Sequence, residues 1–139
     1  MTNFSFVQDG VSSRCISTFP NAHNGNEVSS VKFSKNSKYL LTSGKDSLIF
    51  LWELSTGRAV SMYTGAKAAS QYPVGASFNH TEDYILMPDG SDLHSPKIIC
   101  WDTRSTEKLK VLPSGHTNTI GCLKHSPSAT AFISCSDDN

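Results

Sequence analysis

The chain has 139 residues with 12 basic and 12 acidic side chains, a formal net charge of zero, so no long-range field steers it toward nucleic acid, an anionic membrane or another polyanion. It contains no apolar run of the roughly eighteen residues that a membrane span needs, and Met1 to Asp9 has no basic segment followed by an apolar one, so neither a span nor a secretion signal is expected. Cys15, Cys100, Cys122 and Cys135 lie singly beside apolar neighbours, and are expected to be buried, reduced thiols rather than a disulfide framework.

In chain order, Phe4 to Asp9 reads as a strand that stops at an acid, and a turn leads to a second strand from Arg14 to Phe19. The succession recurs twice: Leu51-Trp52-Glu53 leads to Arg58 to Tyr63, and Cys100-Trp101-Asp102 to Glu107 to Leu112, with Gln8 standing where the later copies have Trp. Further strands are expected near Val28 to Phe33, Tyr39 to Thr42 and Leu48 to Trp52, with turn chemistry at Lys45-Asp46-Ser47. Leu48 to Trp52 is apolar at every position. A strand apolar on both faces must be covered on both, which calls for a sheet above and a sheet below.

Phe33 to Thr42 aligns without gaps on Phe78 to Met87, 45 residues on, and His125 to Ser134 occupies the same frame a further 47 residues on. Such a period, with Ala22-His23 and Gly115-His116 ahead of a strand and Trp52-Glu53 and Trp101-Asp102 closing one, marks a repeat built from small sheets. The units are residues 1–19 (partial), 20–63, 64–112 and 113–139 (partial). The third departs most: Tyr63-Thr64-Gly65-Ala66 lacks the His, Met87 replaces Thr42, and four extra residues enlarge the loop from Pro88 to Lys97, a candidate contact element. The first unit lacks its two inner strands, and the Trp of the last would fall near position 144, beyond Asn139. Raw strand edges at both ends are therefore expected, and with them oligomerisation or aggregation of the isolated chain.

These marks resemble the WD40 family. The resemblance implies an all-β, partial β-propeller: about two full four-stranded blades plus two partial ones, an arc of a seven-bladed ring. It also implies that His23, Thr42, Asp46 and Trp52 form a buried hydrogen-bonded tetrad tying three strands and the inter-blade loop together, with a partial copy at His116, Ser134 and Asp138. Read without the resemblance, a His, an Asp and a hydroxyl suggest catalysis, but nucleophilic catalysis does not need the same set twice. Cys122 and His125 have a metal-like spacing, with His116 and Cys100 as conceivable companions, yet no second ligand pair follows at zinc-site spacing. Neither a G-x-S-x-G elbow nor a phosphate-binding glycine loop is present, so no catalytic residue, cofactor or metal is expected.

Asp9 to Ile16, Phe33 to Tyr39, Ser43 to Ser47, Ser55 to Arg58, Tyr63 to Ala66, Phe78 to Tyr84 and Cys135 to Asp138 are similar to the WD-repeat subunits of the cleavage stimulation factor of mRNA 3′-end processing. Most are turn and surface residues that the fold does not dictate. The likeness implies a nuclear, non-enzymatic scaffold whose partners are the HAT-repeat scaffold subunit of that factor and other 3′-processing or transcription proteins, without sequence-specific nucleic-acid binding. Lys45, Asp89, Asp92, His94 and Arg104 are the candidate partner contacts. Trp101-Asp102-Thr103-Arg104 has the W-D-x-R form of WD40 substrate receptors of cullin-RING ubiquitin ligases, which is the alternative. An RNA-contacting surface would instead require Lys35, Lys38, Lys45 and Arg58 to converge on one face.

Overall fold

The computed structural model describes residues 4–69, 72 and 74–138, which form twelve strands and no helix. A first antiparallel pair is β1 (Phe4–Gln8) and β2 (Cys15–Pro20). A four-stranded antiparallel sheet follows in chain order: β3 (Val28–Phe33), β4 (Tyr39–Gly44), β5 (Ile49–Glu53) and β6 (Arg58–Tyr63). The second such sheet is β7 (Ser77–Phe78), β8 (Tyr84–Asp89), β9 (Lys97–Asp102) and β10 (Lys108–Pro113), and a last pair is β11 (Ile120–His125) and β12 (Phe132–Ser136). This is a partial β-propeller of two full and two two-stranded blades, as the resemblance implied.

Side-chain alternation along each central strand sends neighbouring residues to opposite blades. Leu40 packs with Phe19 and Ala22 against the first blade, whereas Leu41 joins Ile49, Leu51 and Tyr63 against Ile85, Met87 and Trp101 of the third. The equivalent pair in β8 divides the same way: Ile85 faces the second blade, and Leu86 packs with Ile98 against Ile120 and Leu123 of the fourth. One side chain per outer strand completes each interface: Phe19 on β2, Tyr63 on β6 and Leu112 on β10. Fully burying a side chain of this size contributes roughly 1.5–3 kcal/mol, so these layers are the main stabilisation of the arc. β7 has only two residues, yet the gap is bridged because the Ala76 amide donates to the buried Ser43 hydroxyl of the preceding blade at 2.8 Å.

An acid at the end of β5 and β9, and directly after β1, opens the turn to the outer strand. Asp9 Oδ1 accepts from the amides of Val11 (3.0 Å) and Ser12 (2.6 Å), and Asp102 Oδ1 from those of Arg104 (2.9 Å) and Ser105 (2.7 Å). These amides, Ser12 foremost for Asp9 and Ser105 for Asp102, hold both carboxyls below their usual range. The fourth residue after the acid is left-handed in all three turns: Ser13 at φ 55°, Gly57 at 67° and Thr106 at 64°. Only the second blade uses glycine, which adopts that conformation without strain.

The cysteines correct the expectation drawn from their apolar neighbours. Cys100 and Cys122 are half-buried because strand alternation turns them away from the interfaces that Ile99, Trp101 and Leu123 fill, and Cys15 and Cys135 are exposed on strands whose nearby Ile16 and Ile133 are exposed as well. All four are free thiols.

Two outcomes follow. Thr106 is β-branched in a left-handed position, so Thr106→Gly is expected to stabilise the chain by about 1 kcal/mol in urea denaturation. Tyr63 is fully buried and its phenol donates to the Thr103 carbonyl at 2.6 Å, and burial pushes its pKa up from 10.0 to about 12. A raised folded-state value stabilises the fold fully below the ordinary value of 10.0, and that stabilisation is lost as pH rises through about 12. Phenolate absorbance should thus show a late tyrosine step that disappears in Tyr63→Phe.

Candidate functional site

His23 lies in the segment leading into β3, Thr42 on β4, Asp46 in the β4–β5 turn and Trp52 on β5. The structure brings all four together. The indole Nε1 of Trp52 donates to Thr42 Oγ1 at 2.9 Å, and Thr42 Oγ1 lies 2.9 Å from His23 Nε2. His23 Nδ1 sits 2.9 and 3.1 Å from the two Asp46 oxygens. An indole only donates, so the chain is satisfied when the Thr42 hydroxyl donates onward to His23 Nε2 and Nδ1–H donates to Asp46. Asp46 Oδ1 also accepts the Leu48 amide at 3.1 Å, which shapes the turn. Phe50 meets the imidazole edge-on, with centroids 5.1 Å apart at 74°. Gly44 runs beneath the ring so closely that a Cβ there would overlap His23 and Asp46.

This network joins β4 and β5 to the turn between them and to the inter-blade segment. It does not reach a third strand, as the resemblance had implied, because His23 precedes the start of β3 at Val28. In the last blade His116 repeats the arrangement, with Nε2 at 3.0 Å from Ser134 Oγ and Nδ1 at 3.1 Å from both Asp138 oxygens. Asp138 also accepts the Thr117 amide at 2.8 Å, and that amide, ahead of the imidazole, holds its carboxyl below the usual range.

The third blade solves the same problem differently. Met87, fully buried, occupies the Thr42 position and offers no hydroxyl, so the indole of buried Trp101 turns to the backbone carbonyl of Thr64 at 2.9 Å. A backbone acceptor carries no side-chain signature, so sequence reasoning had no means of finding it.

The candidate contacts are spread over both ends of the blades. Lys45, in the β4–β5 turn, pairs with the exposed Glu27. Asp89 is occupied within the fold, with Oδ1 accepting the Lys67 amide at 2.8 Å and Oδ2 the Ser91 hydroxyl at 2.5 Å. Asp92 shapes the β8–β9 loop by accepting the amides of His94 (3.0 Å) and Ser95 (3.3 Å). That leaves the side chains of Leu93 and His94 exposed at the loop tip. Arg104 lies in the β9–β10 turn at the opposite end of the blades, exposed and without an ion pair among the described residues. It borders a cavity of about 440 Å³ between the second and third blades, whose walls include Tyr39, Leu51, Phe78 and Thr103.

Lys35, Lys38 and Arg58 belong to the Arg104 end, while Lys45 is one strand length away, so the four basic residues do not converge. Among the described residues no three His, Cys, Asp or Glu side chains gather as metal donors, and His125 Nδ1 is taken by the Ser126 carbonyl at 2.8 Å.

Asp46→Ala leaves the Nδ1–H of a buried imidazole unpaired and is expected to cost about 1–3 kcal/mol in chemical denaturation. Gly44→Ala, which drives a methyl into the same ring, should cost at least as much. Met87→Thr should also destabilise, by roughly 1–3 kcal/mol, because the third blade has no imidazole to use the new hydroxyl.

The family model for the WD domain, G-beta repeat, matches residues 13–53 and 106–139, more than half of the chain. The chain is 38% identical over 130 residues to "Cleavage stimulation factor subunit 50" of Arabidopsis thaliana, which covers 94% of this chain and 29% of that protein. It is also 32% identical over 114 residues to "GID complex subunit 7" of Schizosaccharomyces pombe (strain 972 / ATCC 24843), covering 81% of this chain and 22% of that protein. The chain thus spans less than a third of the length of either relative. With its repeated sheets, its His-Thr-Asp-Trp network and these matches, the chain belongs to the WD40 repeat family.

Proposed function

We propose that the chain is a non-enzymatic protein-interaction platform acting in nuclear pre-mRNA 3′-end cleavage and polyadenylation. The observation that carries this reading is the similarity to a cleavage stimulation factor subunit over 94% of the chain. The chemistry of the fold supports it, since the hydroxyl, imidazole and carboxylate that would suit catalysis are consumed in fixing strands and turn within a blade. The exposed Leu93 and His94 on a loop anchored at Asp89 supply the kind of surface that a protein partner covers. The partners in this reading are the HAT-repeat scaffold subunit of the factor and other 3′-processing or transcription proteins.

A second reading, a WD40 substrate receptor of a cullin-RING ligase, draws on the exposure of Arg104 beside its cavity. Affinity capture from nuclear extract with quantitative mass spectrometry separates the two. The first reading expects recovery of 3′-processing factors, reduced several-fold by Leu93→Asp with His94→Ala and unchanged by Arg104→Ala. Recovery of a cullin ligase adaptor that is lost on Arg104→Ala would establish the second instead.

A further inference from the structure

The inner strands β3, β7 and β11 place equivalent residues, Lys32, Ser77 and Lys124, around one channel. These three side chains are common to two adjoining cavities of about 240 and 230 Å³. Neither Lys32 nor Lys124 forms an ion pair among the described residues. Burial, reinforced by the like charge of Lys124, holds the Lys32 pKa below its ordinary 10.5. At one end of the channel the rings of His80 and His125 stack, with centroids 5.6 Å apart and planes 10° from parallel. The Nδ1 of His80 is buried there with no hydrogen-bond partner. The one acid lining this end, Glu82, spends its carboxylate on the Lys35 amide, and the Lys35 ammonium donates to the carbonyls of His80 and Pro127.

The half-buried Lys32 ammonium lies beside the like charge of the exposed Lys124, an unfavourable pairing in the free chain. An oxyanion between the two ammonium groups relieves it. A phosphate dianion matches the charge of two ammonium groups where a carboxylate matches only one, and lysine binds phosphate as a point charge. We propose that this channel binds a terminal phosphate group, free or carried on a phosphorylated side chain, with Lys32 and Lys124 supplying charge and the His80 ring lining the channel beside them. The site lies on the inner strands, away from the β8–β9 loop, and stands independently of the partner reading above.

Isothermal titration of the 139-residue chain at fixed low ionic strength, with inorganic phosphate and with O-phosphoserine, tests it. Saturable binding of at least one is expected, with none for acetate. Lys32→Met and Lys124→Met should each weaken binding roughly tenfold, and Lys97→Met not at all. Lys32→Met should at the same time raise the melting temperature of the free chain, a pairing of effects that a merely structural lysine would not give. Tighter binding of O-phosphoserine than of phosphate identifies a phosphorylated partner as the source, and the reverse a free ion. Absence of binding by both probes, equal uptake of acetate, or undiminished binding in the double Lys→Met variant overturns the proposal. Should those variants fail to fold, the His80 ring resonances of the unaltered chain decide: a shift on adding phosphate is expected, and no shift overturns it.

Discussion

Every part of this molecule depends on central strands that are buried on both faces by different neighbours. β4 gives Leu40 to the blade before it and Leu41 to the blade after it, and β8 divides Ile85 and Leu86 in the same way. A sheet built like this has no self-sufficient core. Its stability is shared across interfaces, so blades are stable in the plural, as in other stacked-repeat proteins. The outer-strand residues Phe19, Tyr63 and Leu112 close each interface where the blades diverge, which explains why three different side chains serve at one position: the space is defined by the next blade and not by the strand that carries them.

Polar order is layered on this apolar frame. The His23 network is confined to one blade and its incoming segment, and it fixes strand register by demanding that a hydroxyl on β4 face an indole on β5. Its absence in the third blade shows which part is indispensable. Trp101 keeps its place in the core and finds a carbonyl, while the imidazole and carboxylate are simply lost. The indole is needed for its buried bulk, and its N–H donates to whatever oxygen lies within reach.

Much of the fold was legible because the repeat aligns residue on residue: the strands fall where the periodicity places them, save that β7 is cut to Ser77–Phe78, and the two-sided run from Leu48 to Trp52 announced a stacked arrangement. The His, Thr, Asp and Trp positions were legible for the same reason. The illegible features are those carried by the backbone or by distance in sequence. Thr64 offers a carbonyl, Lys35 reaches carbonyls 45 and 92 residues away, and the Lys32–Lys124 pair exists only once three blades are docked. Cys100 and Cys122 misled because their buried neighbours in the strand point to the other face, and Cys15 and Cys135 because the apolar residues near them are exposed too. Asp89 read as a surface contact because a turn acid and a binding acid look alike until the amide it serves is known.

The reach of Lys35 bears on the order in which the chain assembles. The side-chain bonds of the His23 network span 10 to 23 residues, so they form within one blade and early, whereas the Lys35 ammonium spans 45 and 92 residues to its two carbonyls. Closing loops of that length costs more chain entropy, and the ammonium has nothing to meet until the third and fourth blades have arrived. Lys35 therefore acts as a late clasp: absent from the rate-limiting nucleus of any single blade, it adds to what the apolar layers supply, so its contribution is felt in the rate of coming apart and hardly in the rate of folding.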